Sequence, residues 1–138
     1  MITNTGALAV GTTSFITMES YKFYVRGKAG GDQDWTKDSD VRLKKNIHTI
    51  PDALEKVRSL RGVTYELKDE SSDAGPQVGF VAQEVEPIVP QVVVTSDEGY
   101  KAIQYGSMVS VLVEAMKEMD AQIQQLNARI VELEAQQK

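Results

Sequence analysis

The chain of 138 residues contains no cysteine. Disulfides, thiolate ligands and thiol nucleophiles are therefore excluded, and the composition suits a reducing compartment. Histidine occurs once, at His48, with no cysteine or carboxylate pattern around it. Metal-ligand spacing is absent, so no metal and no cofactor is expected. Basic residues are too few for a nucleic-acid partner: 15 Lys and Arg face 20 Asp and Glu, for a net charge of −5, whereas phosphate binding wants a basic surface. No apolar run is long enough to span a membrane, and no basic stretch followed by an apolar run marks a signal peptide. Gly11, Gly27, Gly30 and Gly31 build no phosphate loop, because no Gly-Lys-Ser/Thr follows at the needed spacing. Chemistry is left to Ser, Thr, Lys, Asp, Glu and His48.

Hydrophobic residues make up 41% and charged residues 25%, which permits one small soluble domain. Three zones differ in character. Residues 1–38 are rich in Thr, Gly, Ser and aromatics. Tyr21-Lys22-Phe23-Tyr24-Val25 reads as a strand, and Ala7-Leu8-Ala9-Val10 as a second. Trp35 reads as a packing anchor. This zone is short of core residues and is marginal alone, so it needs partner chains. Residues 39–107 read as a compact α+β head. Asp52 to Leu60 predicts a helix with Leu54, Val57 and Leu60 on one face, Pro51 near its start and Gly62 ending it. Val63–Leu67 and Val78–Ala82 read as strands, 71–76 as a turn, and Gln83–Ile88 as one helical turn. Val92–Thr95 and Tyr100–Tyr105 flank Ser-Asp-Glu-Gly and predict a β-hairpin.

Residues 108–138 predict one long helix with a heptad repeat. Val109, Met116, Ile123 and Ile130 share one heptad position; Leu112, Met119, Leu126 and Leu133 share the other. Spacings that alternate three and four over four heptads predict a coiled coil. A single amphipathic helix packed on its own domain is the alternative. Ile at one seam position with Leu at the other leans toward two strands, so the heptads predict association without fixing three chains.

Asp38-Ser39-Asp40-Val41-Arg42-Leu43-Lys44-Lys45-Asn46-Ile47 places a serine near lysines. Such a segment commonly does no more than cap a helix through Ser39 or Asp40. A Ser–Lys pair can also cut a peptide bond, provided the lysine loses its proton; its ordinary pKa of about 10.4 requires burial to lower it by several units. Five residues on a helix turn through about 500°, roughly 140° off the starting face. Ser39 and Lys44 therefore do not meet on a regular helix. Either Ser39 precedes the helix in a turn, or the lysine comes from a neighbouring chain. Spacing alone leaves Lys45 and Arg42 open, although a guanidinium is a poor base.

Ser39-Asp40-x-Arg42-x-Lys44-x-Asn46-Ile47 resembles the signature of the peptidase S74 family. These are intramolecular chaperone domains of endosialidases, phage tail fibres, neck appendages and some eukaryotic membrane-bound transcription factors. Leu60-Arg61-Gly62-Val63-Thr64-Tyr65, Val78-Gly79-Phe80-Val81-Ala82-Gln83-Glu84-Val85 and Tyr105-Gly106-Ser107-Met108 resemble three further blocks of that family, in order. Upstream, Val10-Gly11-Thr12-Thr13 and Tyr21 to Gly27 resemble a segment found before this domain in phage fibres.

The resemblance implies a single-turnover, self-cleaving serine endopeptidase that cuts between Asp38 and Ser39. It implies Ser39 as nucleophile and Lys44 as general base. Asp40, Arg42 and Asn46 would shape the turn or bind neighbouring groups, and Gln83 and Glu84 would support the site or cap the turn after them. The implied fold is α+β: a β-rich fibre end (1–38), a mixed head (39–107) and a coiled-coil helix (108–138), intertwined as a homotrimer. The implied partners are two further copies and the upstream fibre or spike domain of the same polypeptide, with no small-molecule substrate. Trimerisation would precede cutting, in the host cytoplasm during phage assembly, and the parent fibre would reside in the virion tail. The competing expectation is a trimerisation tip of a fibre or adhesin that never cuts.

Overall fold

A computed structural model describes residues 8–10, 23–25, 29–32, 36–68 and 75–137. Tyr21, Lys22 and Trp35, and most of the expected turn at 71–76, lie outside these. The architecture is α+β, as expected. Strands β1 (Leu8–Val10) and β2 (Phe23–Val25) precede a 3₁₀ turn at Val41–Leu43. Helix α1 (Ala53–Ser59) leads to β3 (Val63–Tyr65), β4 (Gln77–Gly79) and α2 (Ala82–Val85). A second 3₁₀ turn at Pro90–Val92 leads to β5 (Val93–Thr95), β6 (Lys101–Ile103) and the long helix α3 (Tyr105–Gln136). The chain divides into two compact units: Met1–His48 with Thr95–Ala102, and Thr49–Val94 with Ile103–Lys138.

In the first unit β1 and β2 pair in parallel, with Leu8 opposite Phe23 and Val10 opposite Val25. The expected hairpin is present as the β5–β6 pair. Its tip closes through Gly99 N–H to the Ser96 carbonyl at 2.9 Å and Ser96 N–H to the Tyr100 carbonyl at 2.8 Å. Gly99 takes a φ of 84°, where a side chain would be strained, which accounts for glycine as the last residue of Ser-Asp-Glu-Gly.

The core lies in the second unit. Val85, Val89, Val92, Met108 and Val111 form its centre, and Ile50, Val57, Leu60, Phe80, Ile88, Val93 and Ile103 pack around them. A second cluster joins Ala53 and Leu54 of α1 to Ala115 of α3. The alanines let the two helix backbones come close. β3 and β4 pair antiparallel, Val63 opposite Gly79 and Tyr65 opposite Gln77.

Gly62 does not end α1. The chain leaves the helix at Leu60 in an extended conformation (φ −79°, ψ 140°), and Gly62 is not among the positive-φ residues. Leu60 packs against the core, and the extended backbone runs directly toward β3, so no left-handed cap is required. Helix α3 also starts earlier than the heptads indicate, at Tyr105. Its first turn is closed by Ser107 N–H donating to the Gln104 carbonyl at 3.0 Å, and Gln104 supplies no side-chain cap.

The start of α1 is satisfied from outside the helix. Asp52 sits in the left-handed region (φ 52°) and its side chain makes no cap. The Glu118 carboxylate of α3 instead accepts from Ala53 N–H at 2.9 Å and Leu54 N–H at 2.8 Å. Two orphan donors are filled, and a negative charge faces the positive end of the helix. These two backbone bonds, Leu54 first, hold the Glu118 carboxyl below the usual glutamate range, with Lys56 adding attraction.

Helix α3 carries two apolar stripes. Met108, Val111 and Ala115 are buried against its own unit. The heptad seam lies one residue further on, about 100° around the helix. All eight seam residues remain between 42% and 64% exposed. The stripe that packs within the chain is thus not the seam.

Glu118→Ala is expected to lower stability at pH 7 despite alanine's better helix propensity. A group with a depressed folded pKa stabilises above its unfolded value of about 4.3 and loses that contribution as pH falls through the folded one. The gap between wild-type and variant urea midpoints should therefore be full near neutrality and close below about pH 4. A gap that does not change with pH would show that the carboxylate charge plays no part.

Candidate functional site

Residues 36–49 are exposed throughout. The segment is ordered locally by a single 3₁₀ turn at Val41–Leu43, closed by Leu43 N–H to the Asp40 carbonyl and Lys44 N–H to the Val41 carbonyl, both 3.1 Å. Asp40 before it (φ −61°, ψ 138°) and Lys44 after it (φ −117°, ψ 148°) are extended. This backbone path resolves the five-residue spacing. Ser39 stands ahead of the turn, the turn reverses direction, and Lys44 Nζ comes back to donate to Ser39 Oγ at 2.6 Å. The two side chains meet within one chain.

Asp40 holds three bonds at the turn. Oδ1 accepts from Arg42 N–H at 2.8 Å and from Arg42 Nε at 2.9 Å, and Oδ2 accepts from Nη2 at 2.7 Å. The Arg42 side chain first, and its backbone N–H second, hold the Asp40 carboxyl below the usual aspartate range. Arg42 is therefore engaged with Asp40 rather than with Ser39. Asn46 occupies the left-handed region at φ 53°, which asparagine tolerates better than most residues. Asp38, Lys45 and His48 are exposed.

Gln83 and Glu84 lie on α2, in the other compact unit. Gln83 is exposed. Glu84 accepts from Arg61 Nε at 3.1 Å and pairs with its Nη2. The Arg61 hydrogen bonds hold the Glu84 carboxyl below its usual range. The pair ties the stretch before β3 to α2, and so joins two of the sequence blocks.

A third connection was not visible in the sequence. Tyr105, the first residue of α3, accepts at its hydroxyl from Phe80 N–H at 3.0 Å. The two rings stack with centroids 6.1 Å apart and planes at 21°. A methyl at Gly79 would collide with that hydroxyl. Glycine before Phe80 and tyrosine at the helix start thus answer one packing requirement. A glycine inside a strand pattern signals such close approach, but does not say what approaches.

Among the described residues, no group of three or more His, Cys, Asp or Glu could hold a metal ion, and no helix is long and apolar enough to cross a membrane.

Residues 39–94 match the model of the peptidase S74 family, described as the chaperone of endosialidase. That segment belongs to the family. Its match begins at Ser39 and covers the Ser–Lys turn, α1, the β3–β4 pair and α2. Similar proteins include the long tail fiber protein Gp37 of Enterobacteria phage K3, 31% identical over 99 residues, which are 67% of this chain and 8% of that protein. Gp37 of Enterobacteria phage T2 is 31% identical over 99 residues, 67% of this chain and 7% of its own length. Gp37 of Salmonella phage S16 is 27% identical over 109 residues, 73% of this chain and 15% of its own. The chain thus spans a small part of the length of these relatives.

Gly79→Ala is expected to destabilise the second unit by about 1–3 kcal/mol, the usual cost of overpacking. Adding Tyr105→Phe removes the colliding oxygen and should recover part of that loss. Urea midpoints of the single and double variants measure it; fully additive losses would mean that the hydroxyl is not what the methyl meets.

Proposed function

We propose that this chain is the C-terminal intramolecular chaperone segment of a phage tail fibre, and that it releases itself by cutting the Asp38–Ser39 bond. The observation that carries the chemistry is the Lys44 Nζ to Ser39 Oγ distance of 2.6 Å, at the first residue of the family match. The tail-fibre setting is supported by the Gp37 relatives.

In the proposed reaction Ser39 Oγ attacks the Asp38 carbonyl carbon. Lys44, in its neutral form, takes the hydroxyl proton and returns it to the departing Ser39 amine. Water then hydrolyses the ester, leaving an Asp38 carboxylate and restoring the Ser39 hydroxyl. An ammonium cannot accept that proton, so the reaction needs a lysine shielded from water. The 36–49 segment is exposed throughout in a single chain. Loss of that water therefore has to come from assembly.

Assembly is assigned to the α3 seam. Three copies joined there would hold their heads and fibre ends at high local concentration before the costly inter-chain β pairing begins. Packed heads would cover the Ser–Lys pair, so cutting would report correct assembly. Departure of residues 39–138 would leave the fibre without a ready route back to its unfolded state, and its stability would become kinetic. The site of action is the host cytoplasm during assembly, with the mature fibre in the virion tail.

Intact mass of the overexpressed protein tests this beside Ser39→Ala and Lys44→Ala. The expected result is a fragment beginning at Ser39 in wild type and full-length chain in both variants. Full-length chain in all three, in a chain that includes its upstream fibre region, would leave a trimerisation tip that does not cut.

A further inference from the structure

We propose that Asp40 is the positioning residue for the Ser39–Lys44 pair: its carboxylate caps the 3₁₀ turn and so sets the distance between Oγ and Nζ. The inference rests on the self-cleavage reading above and adds to it a residue that acts through the pair and does not touch the scissile bond.

A 3₁₀ turn of three residues has poor hydrogen-bond geometry and little persistence of its own. This one buries no residue. Val41 and Leu43 are 68% and 70% exposed, so core packing does not hold it. Without the turn, residues 39 and 44 would be separated by five extended residues, up to about 17 Å of chain. What holds the turn is the Asp40 side chain, which accepts from Arg42 N–H at 2.8 Å.

The same carboxylate takes the Arg42 guanidinium through both oxygens, at 2.9 and 2.7 Å. The guanidinium fixes the carboxylate rotamer and is itself kept away from Ser39, which leaves Lys44 Nζ at the hydroxyl. Cap and ion pair are chemically separable. The cap needs an acceptor at position 40 and any backbone N–H at position 42. The ion pair needs the Arg42 side chain. Asparagine at position 40 can still cap; alanine cannot.

The test is the first-order rate at which the fragment beginning at Ser39 forms, across pH, in wild type, Asp40→Ala, Asp40→Asn and Arg42→Ala. Asp40→Ala should slow cutting about tenfold or more, the scale of a lost N-cap. Asp40→Asn should stay within about threefold of wild type, because the cap survives, and Arg42→Ala, which keeps the cap but frees the carboxylate rotamer, should fall between Asp40→Asn and Asp40→Ala. The shape of the rate-against-pH profile should be the same in all four proteins, since the variants change positioning and not the reacting groups. NMR supplies a readout that does not depend on cutting: the nuclear Overhauser contact between Ser39 β-protons and Lys44 ε-protons should vanish in Asp40→Ala and persist in Asp40→Asn. Wild-type cutting by Asp40→Ala, or an Asp40→Asn rate as low as that of Asp40→Ala, would overturn the capping role. If wild type yields no fragment even in a chain that includes its upstream fibre region, the self-cleavage reading fails by itself. The proton contact then decides for the cap: retention in Asp40→Ala overturns it.

Discussion

Helix α3 extends for 32 residues, about 48 Å, and carries an apolar seam that its own chain leaves in water. The buried residues of this helix are Met108, Val111 and Ala115, all near its start. Beyond Glu118 every described residue is exposed, Ile123, Leu126, Ile130 and Leu133 among them. A narrow apolar stripe with polar flanks is what a helix presents to other helices, not to a globular core. The proposed account depends on that constraint. The first turns of α3 pack within the second unit through Met108, Val111 and Ala115 and the Glu118 cap, and on the proposed reading the seam is left for other copies.

The same contrast between local order and missing cover recurs at the Ser–Lys turn. The Ser39–Lys44 contact is made within one chain, with Nζ already at the hydroxyl. The segment that carries it is exposed throughout. On the proposed reading these two facts have one purpose. A pair that is aligned early but desolvated late stays silent in a monomer and reacts once the copies pack. Neither a fully buried pair in each monomer nor a pair split between distant segments would couple reaction to assembly in this way.

Much of this was legible in the residues. The heptad spacing from Val109 to Leu133 was legible as a periodic apolar stripe on one helix, and the structure leaves that stripe exposed. The face of α1 followed from Leu54, Val57 and Leu60, and the hairpin tip from Ser-Asp-Glu-Gly. For Ser39 and Lys44 the five-residue spacing left two routes, a turn within the chain or a lysine from a neighbouring chain; within one chain a 3₁₀ turn brings Nζ to Oγ. What stayed hidden depends on partners distant in sequence. Glu118 reads as one more surface glutamate on a long helix, yet it caps α1 some 65 residues earlier. The Gly79–Tyr105 contact likewise joins positions whose individual signals name no partner. Gly62 misled because glycine so often ends helices, whereas here burial of Leu60 turns the chain out first. The early start of α3 was missed because Tyr105-Gly106-Ser107 lies ahead of the heptads and carries no periodic signal.

The central claim is that cutting at Ser39 depends on association through the α3 seam. Its most direct test places a charge in that seam, Leu126→Asp, and follows fragment formation together with mass by sedimentation. The account predicts that wild type sediments as a trimer and cuts, while the variant stays monomeric with the Asp38–Ser39 bond intact. A monomeric variant that yields the Ser39 fragment at the wild-type rate would contradict it.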